Sequence, residues 1–133
     1  MLNPLTLAAE SLPSLPVSTD RLERRYTDEH SAFLGVEDAR IHYREHGNPD
    51  NQTLLLVHGT YSSLQTWDDW VDELAKEYHL VRLDLPGFGL TGPRQTGEHT
   101  VGELVRLVGL FCDELGLESV VFAGNSLGGG IGL

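Results

Sequence analysis

Near the end of the chain, Gly124-Asn125-Ser126-Leu127-Gly128 follows directly on the apolar run Val120-Val121-Phe122-Ala123. This is G-x-S-x-G after a buried strand, the context in which the motif presents a nucleophilic serine. The spacing has a steric reason. A strand that turns sharply into a helix, with one hydroxyl at its tip, crowds backbone against the positions two residues to either side. Glycine at 124 and 128 meets that demand and leaves Ser126 Oγ exposed. The N–H of Leu127 then lies at the positive end of the next helix, where it can stabilise a developing oxyanion. A glycine-rich turn with an incidental serine is the competing reading; the apolar strand before it favours the nucleophile.

A second segment could complete such a site. Val57-His58-Gly59-Thr60 stands where the apolar run Leu54-Leu55-Leu56-Val57 ends. Ligands of open α/β sheets bind at the carboxyl ends of strands. Gly59 permits a close backbone approach, and Thr60 N–H would be the second oxyanion donor. His58 has two readings, a general base or a hydrogen-bonded residue that orders a turn. The structural reading is preferred, because a base must reach the serine hydroxyl directly.

Competing motifs fail their contexts. Gly87-Phe88-Gly89-Leu90-Thr91-Gly92 fits G-x-G-x-x-G, but a dinucleotide site needs that turn to run straight into a helix. Pro93 and Gly97 intervene, and the next helix is expected near Thr100. Gly128-Gly129-Gly130 lacks the lysine of a phosphate loop. His30, His42, His46, His79 and His99 show no metal-ligand spacing and are read as solvated. The single cysteine, Cys112, excludes an intrachain disulfide and a cysteine metal cage. Neither metal nor cofactor is expected.

The elements that must position these residues follow from periodicity. Ala39, Ile41 and Tyr43 alternate with Arg40, His42 and Arg44, as in a half-buried strand, and residues 33–36 precede them across Glu37-Asp38 as a hairpin partner. Residues 54–57 read as a strand covered on both faces. Trp67, Trp70, Val71, Leu74, Ala75 and Tyr78 form one helical stripe, with Thr66 placed to cap it. Residues 80–83 are the next strand. Thr100 and Glu103 have capping-box spacing for a second helix, whose inner face is Val101, Leu104, Val105, Val108, Phe111 and Leu115, and Gly116 is placed to end it. Residues 120–123 make a third buried strand. Strands alternating with helices predict an α/β fold with an antiparallel leading hairpin, then a mostly parallel sheet. Residues 1–31, rich in proline and then in charge, are read as an extended or flexible leader; 32–133 form the folded part.

Composition narrows the partners. The chain has 133 residues, with nine basic against twenty acidic and a net charge of −11. That opposes binding to nucleic acid and to anionic lipid, both of which need a basic face. No run approaches a membrane span, and a start with no basic residue before Arg21 and an apolar run, Leu5 to Ala9, cut short by Glu10 makes a poor signal peptide, so a cytoplasmic location is expected.

Three motifs in this order and spacing resemble the N-terminal half of an α/β-hydrolase-fold serine hydrolase: Leu55-Leu56-Val57-His58-Gly59-Thr60, Asp84-Leu85-Pro86-Gly87-Phe88-Gly89 and Gly124-Asn125-Ser126-Leu127-Gly128-Gly129. With the connecting helices, the resemblance covers residues 33–133. It implies Ser126 as nucleophile and the Thr60 and Leu127 amides as oxyanion hole. Asp84 is implied to be structural, its carboxylate accepting backbone N–H bonds in the following loop. Serine at the elbow disfavours the aspartate-nucleophile branches of the family, the epoxide hydrolases and haloalkane dehalogenases. The implied substrate is a small carboxylic ester or related carbonyl compound; the elbow also resembles that of carbon–carbon bond hydrolases.

In this family the acid and the histidine follow the serine in chain order. Seven residues follow Ser126 and none is either. Without a base the hydroxyl stays protonated and weakly nucleophilic. The expectation is a truncated chain, inactive alone, whose uncovered sheet face or edge invites association. The alternative is a non-catalytic split or truncated piece that acts, if at all, by binding a partner.

Overall fold

The computed structural model describes residues 18–95 and 99–132. Residues 1–17 of the expected leader, and Gly97 in the loop before the second helix, lie outside the described residues. The rest of the leader segment holds a helix, α1 (Thr19–Tyr26), and Ser31 already belongs to a strand. Ser18 caps α1 by accepting the Arg21 N–H.

β1 (Ser31–Val36) and β2 (Ala39–His46) form the hairpin, with Glu37 at φ 53° in its two-residue turn. β3 (Thr53–Val57), β4 (His79–Leu83) and β5 (Val120–Gly124) complete one five-stranded sheet of order β1-β2-β4-β3-β5. The β1–β2 and β2–β4 pairs are antiparallel; β3 runs parallel to both β4 and β5. Val57 sits in register with Leu83 on one side and Gly124 on the other. The carboxyl ends of these three strands are therefore level, and His58, Asp84 and Asn125 leave the sheet side by side.

β3 is buried along its whole length, as its unbroken apolar run predicts. Leu55 and Val57 join Ile41, Leu83, Leu107 and Phe111 on one face, whereas Leu54 and Leu56 meet Trp67, Val71 and Leu80 on the other. β5 differs from its expectation as a buried strand. It pairs with β3 at one edge of the sheet, and Val121 is exposed.

β2 also departs from simple alternation. His42 and Arg44, assigned to the solvent side, are buried: Arg44 donates to the Tyr26 carbonyl at the end of α1 (2.7 Å) and pairs with Asp28 (3.1 Å), while His42 lies between Asp84 and Ser31. His79 is likewise not solvated. It lies between Thr53 Oγ1 (3.1 Å) and Glu45 (2.7 Å).

The first helical stripe splits in two. A 3-10 turn (Leu64–Trp67) is capped by Ser63, not Thr66, and leads into α2 (Asp68–Leu74). The tighter winding changes the phase of the stripe, so Trp67 enters the core while Trp70 stays exposed. α3 (Val101–Glu114) begins as expected, with Thr100 accepting the Glu103 N–H. It is rotated from the expected inner face: Leu104, Leu107, Val108 and Phe111 are buried, while Val101 and Val105 are exposed. Those four positions follow the i, i+3, i+4, i+7 rule. Gly116 (φ 73°) ends α3, and the Leu117 N–H returns to the Cys112 carbonyl. The short helix α4 (Leu127–Ile131) follows β5 and seats Ile131 in the core beside α3.

Candidate active site

Ser126 lies between β5 and α4 with φ 53° and ψ −114°, a backbone conformation that L-residues seldom adopt. Two glycines make it accessible. A Cβ on Gly124 would overlap the backbone of Gly128 and Gly129, and one on Gly128 would overlap the carbonyls of Val57 and His58. The turn is tied down on both sides: the Asn125 N–H donates to Val57 O (3.1 Å), and the Gly128 N–H donates to Asn125 O (2.9 Å). Ser126 itself is exposed. Gly59 comes up against this turn, where a Cβ would stand 3.2 Å from both Asn125 O and Ser126 Cβ. The segments carrying His58-Gly59-Thr60 and Ser126-Leu127 thus meet at the carboxyl edge of the sheet.

His58 is fully buried, and both of its ring nitrogens are engaged. Nε2 accepts the Leu85 N–H (3.0 Å), which requires the proton on Nδ1, and Nδ1 donates to the Gly59 carbonyl (2.7 Å). Burial pushes its pKa down, against the opposing pull of the Gly59 hydrogen bond. In this arrangement the imidazole has no nitrogen left to take a proton from Ser126. The Phe88 ring packs edge-on against it at 5.5 Å.

Asp84, also buried, knits the loops behind the site together. Its Oδ1 accepts the Leu64 N–H (2.7 Å); Oδ2 accepts the Leu90 N–H (2.9 Å) and meets His42 Nδ1 at 2.8 Å. Gly89 (φ 50°) is the residue that lets the carboxylate in, because a Cβ there would overlap it. The G-x-G-x-x-G run wraps this carboxylate as a loop closed by the Gly87 N–H on Gly92 O (2.7 Å), and α3 starts only at Val101. The run therefore does not lead straight from its glycines into a helix, as a pyrophosphate cradle requires, although His99, just before α3, comes near Gly87.

The partnership of His42 with Asp84 was not legible from spacing. It extends to Ser31 Oγ, 3.2 Å from His42 Nε2, which gives a serine–histidine–aspartate order in a second place. That hydroxyl accepts from Arg44 Nε–H (3.1 Å) and from the Asp28 N–H (3.2 Å) and donates to Asp28 Oδ1 (3.3 Å), so its proton is not directed at His42 and the order is not that of a working triad. Among the remaining histidines, His46 stacks on His30 at 4.0 Å and is held near pKa 4 by burial and by the charges of His30 and Arg82. Among the described residues, no group of three His, Cys, Asp or Glu could hold a metal ion. No helix among them is long and apolar enough to cross a membrane.

Thr60 and Leu127 line one cleft of about 450 Å³, walled further by Pro86, Phe88, His99 and Val101. Two candidate amide donors, a strained serine and an apolar recess therefore lie at one end of the sheet.

Comparison with known proteins agrees with this architecture. The family model of the alpha/beta hydrolase fold matches residues 52–133. A dihydrolipoyllysine-residue acetyltransferase component of an acetoin cleaving system from Cupriavidus necator is 37% identical over 74% of this chain and 26% of its own. A 2-hydroxy-6-oxononadienedioate/2-hydroxy-6-oxononatrienedioate hydrolase from Escherichia coli O81 is 31% identical over 74% of this chain and 37% of its own. Among solved structures, a membrane phospholipase A superposes with a TM-score of 0.73 at 37% identity, covering 76% of this chain and 33% of that one. The chain belongs to the alpha/beta hydrolase family. It spans between 26% and 37% of the length of these two curated relatives.

Proposed function

We propose that the chain carries the nucleophile and oxyanion donors of a serine hydrolase acting on a carboxylic ester or a related carbonyl compound. Ser126 Oγ attacks the carbonyl carbon, the carbonyl oxygen becomes an oxyanion against the Thr60 and Leu127 amides, and collapse expels the alcohol to leave an acyl-serine. Water then attacks the acyl-serine and releases the acid. Each oxyanion donor of this kind contributes about 3 kcal/mol to the transition state. The observation that carries the reading is Ser126 at φ 53°, fixed between two glycines whose Cβ positions are filled by backbone. Strain of this kind persists only where the surroundings over-determine it.

The proton of Ser126 needs a base. His58 is committed at both nitrogens, His42 contacts Asp84 and His79 contacts Glu45, and His99 lines the cleft but, among the described residues, no hydrogen bond joins it to Ser126. On this reading the chain by itself turns over esters poorly, and a histidine supplied from elsewhere in the whole hydrolase activates the serine. A fluorophosphonate probe with mass-spectrometric mapping tests it. The label should fall on Ser126, slowly for this chain and quickly once it is extended by the remainder of a hydrolase domain; a label on the extended protein that survives Ser126→Ala would refute it.

A second reading has one observation in its favour. Among the described residues β5 pairs with β3 alone, and Val121 is exposed beside it. A non-catalytic piece that binds a partner through this edge would show association abolished by Val121→Lys, with no serine labelled in any context.

A further inference from the structure

We propose that the cleft beside Ser126 takes a neutral, apolar acyl chain and rejects dicarboxylates. This rests on the serine-hydrolase reading above and adds the class of substrate. A cleft of about 450 Å³ is the size of a small-molecule site. Phe88, Pro93, Val101 and Leu104 form its apolar walls, and Thr60 and Leu127, the two proposed amide donors, also line it. A carbonyl group held by those amides has its chain beside these walls.

Charge decides what that chain can carry. None of the nine lysines and arginines lines the cleft. Arg94 is adjacent in sequence to the Pro93 wall, but Asp38 (2.8 Å from Nε) and Glu103 (2.8 Å from Nη1) hold its guanidinium, and its side chain is buried. Its charge is spent on fastening the loop to α3 and to the hairpin turn. The chain's net charge of −11 sets an unfavourable field for anions. Among the described residues lining the recess there is no lysine or arginine, so a distal carboxylate would leave water with His99 as its one imidazole partner there. A neutral alkyl chain loses nothing of the kind and gains from burial.

The test uses two probes of equal carbon count on the full ¹⁵N-labelled chain: 2-octanone, a neutral ketone, and octanedioate, a dianion. The ketone should shift the amide signals of Thr60, Leu127 and Val101 saturably, and octanedioate should not at the same concentrations. Val101 is exposed in the first turn of α3, so Val101→Asp places a charge on the wall without touching the core. It should weaken ketone binding at least tenfold, and Val101→Trp, which fills the cleft, should do the same. The proposal is overturned if octanedioate binds as well as the ketone, if the ketone acts elsewhere or not at all, or if neither variant weakens it. Fluorophosphonate labelling of the extended protein, set beside ketone binding, separates the two readings. Intact ketone binding with no fluorophosphonate label in wild type removes the nucleophile and leaves the cleft; a label without ketone binding does the reverse.

Discussion

Replacing Gly128 by alanine adds one methyl group, and the structure leaves no room for it. The new Cβ would overlap Val57 O at the end of β3 and His58 O just beyond it; β3 is paired on both sides, by β4 and β5, and cannot move aside. Two responses are open. The turn can absorb the overlap, which for a well-packed site costs about 1–3 kcal/mol. Alternatively α4 lifts away, and Ile131, 6% exposed, loses its place against α3 at a cost of about 1.5–3 kcal/mol. Both routes give a similar loss, which for a domain of this size lowers Tm by about 4–12 °C. Gly130, two residues on, is the internal control. Nothing lies within 4 Å of its Cβ position. Gly130→Ala in α4 should therefore stabilise by about 0.5–1 kcal/mol through helix propensity. Thermal unfolding of both variants checks the pair. Equal effects of the two substitutions, or a Gly128→Ala protein as stable as wild type, would refute the steric account of the elbow.

Asp84→Asn removes an acceptor that serves two backbone amides and His42, so it should cost about 3 kcal/mol and speed hydrogen exchange at the Leu64 and Leu90 amides specifically. Phe111→Ala empties the core position between α3 and the sheet and should cost about 3–5 kcal/mol by urea unfolding. His46 is held near pKa 4 when folded, below its unfolded value of about 6.5, so the unfolded chain binds the extra proton between these values. Stability is full above pH 6.5 and falls as pH drops toward 4, with His58, also depressed, acting in the same sense. The urea midpoint should fall less between pH 7 and pH 5 in His46→Gln than in wild type.

The elements legible in the sequence were those fixed by local chemistry. The hairpin turn at Glu37-Asp38, the Thr100 cap and the glycine end of α3 each depend on residues within a few positions of one another. The strained serine was legible for the same reason: its glycines lie two residues away on either side. The buried polar residues were not. His42 meets Asp84 across 42 positions and His79 meets Glu45 across 34, and nothing in a period of two distinguishes a histidine facing a carboxylate from one facing water. Helix faces erred where apolar residues outnumber the places on one stripe. α3 offers Val101, Val105 and Leu107 around an inner face that admits only the last. The relation of His58 to Ser126 required coordinates, because the Leu85 N–H that occupies its second nitrogen lies 27 residues along the chain.

The most direct measurement is the structure of the protein after reaction with a fluorophosphonate. If Ser126 is the attacking group, the phosphorus is bonded to its Oγ and the phosphoryl oxygen sits about 2.7–3.1 Å from the amide nitrogens of both Thr60 and Leu127. An adduct on another residue, or one on Ser126 whose oxygen faces solvent away from both amides, would contradict the account.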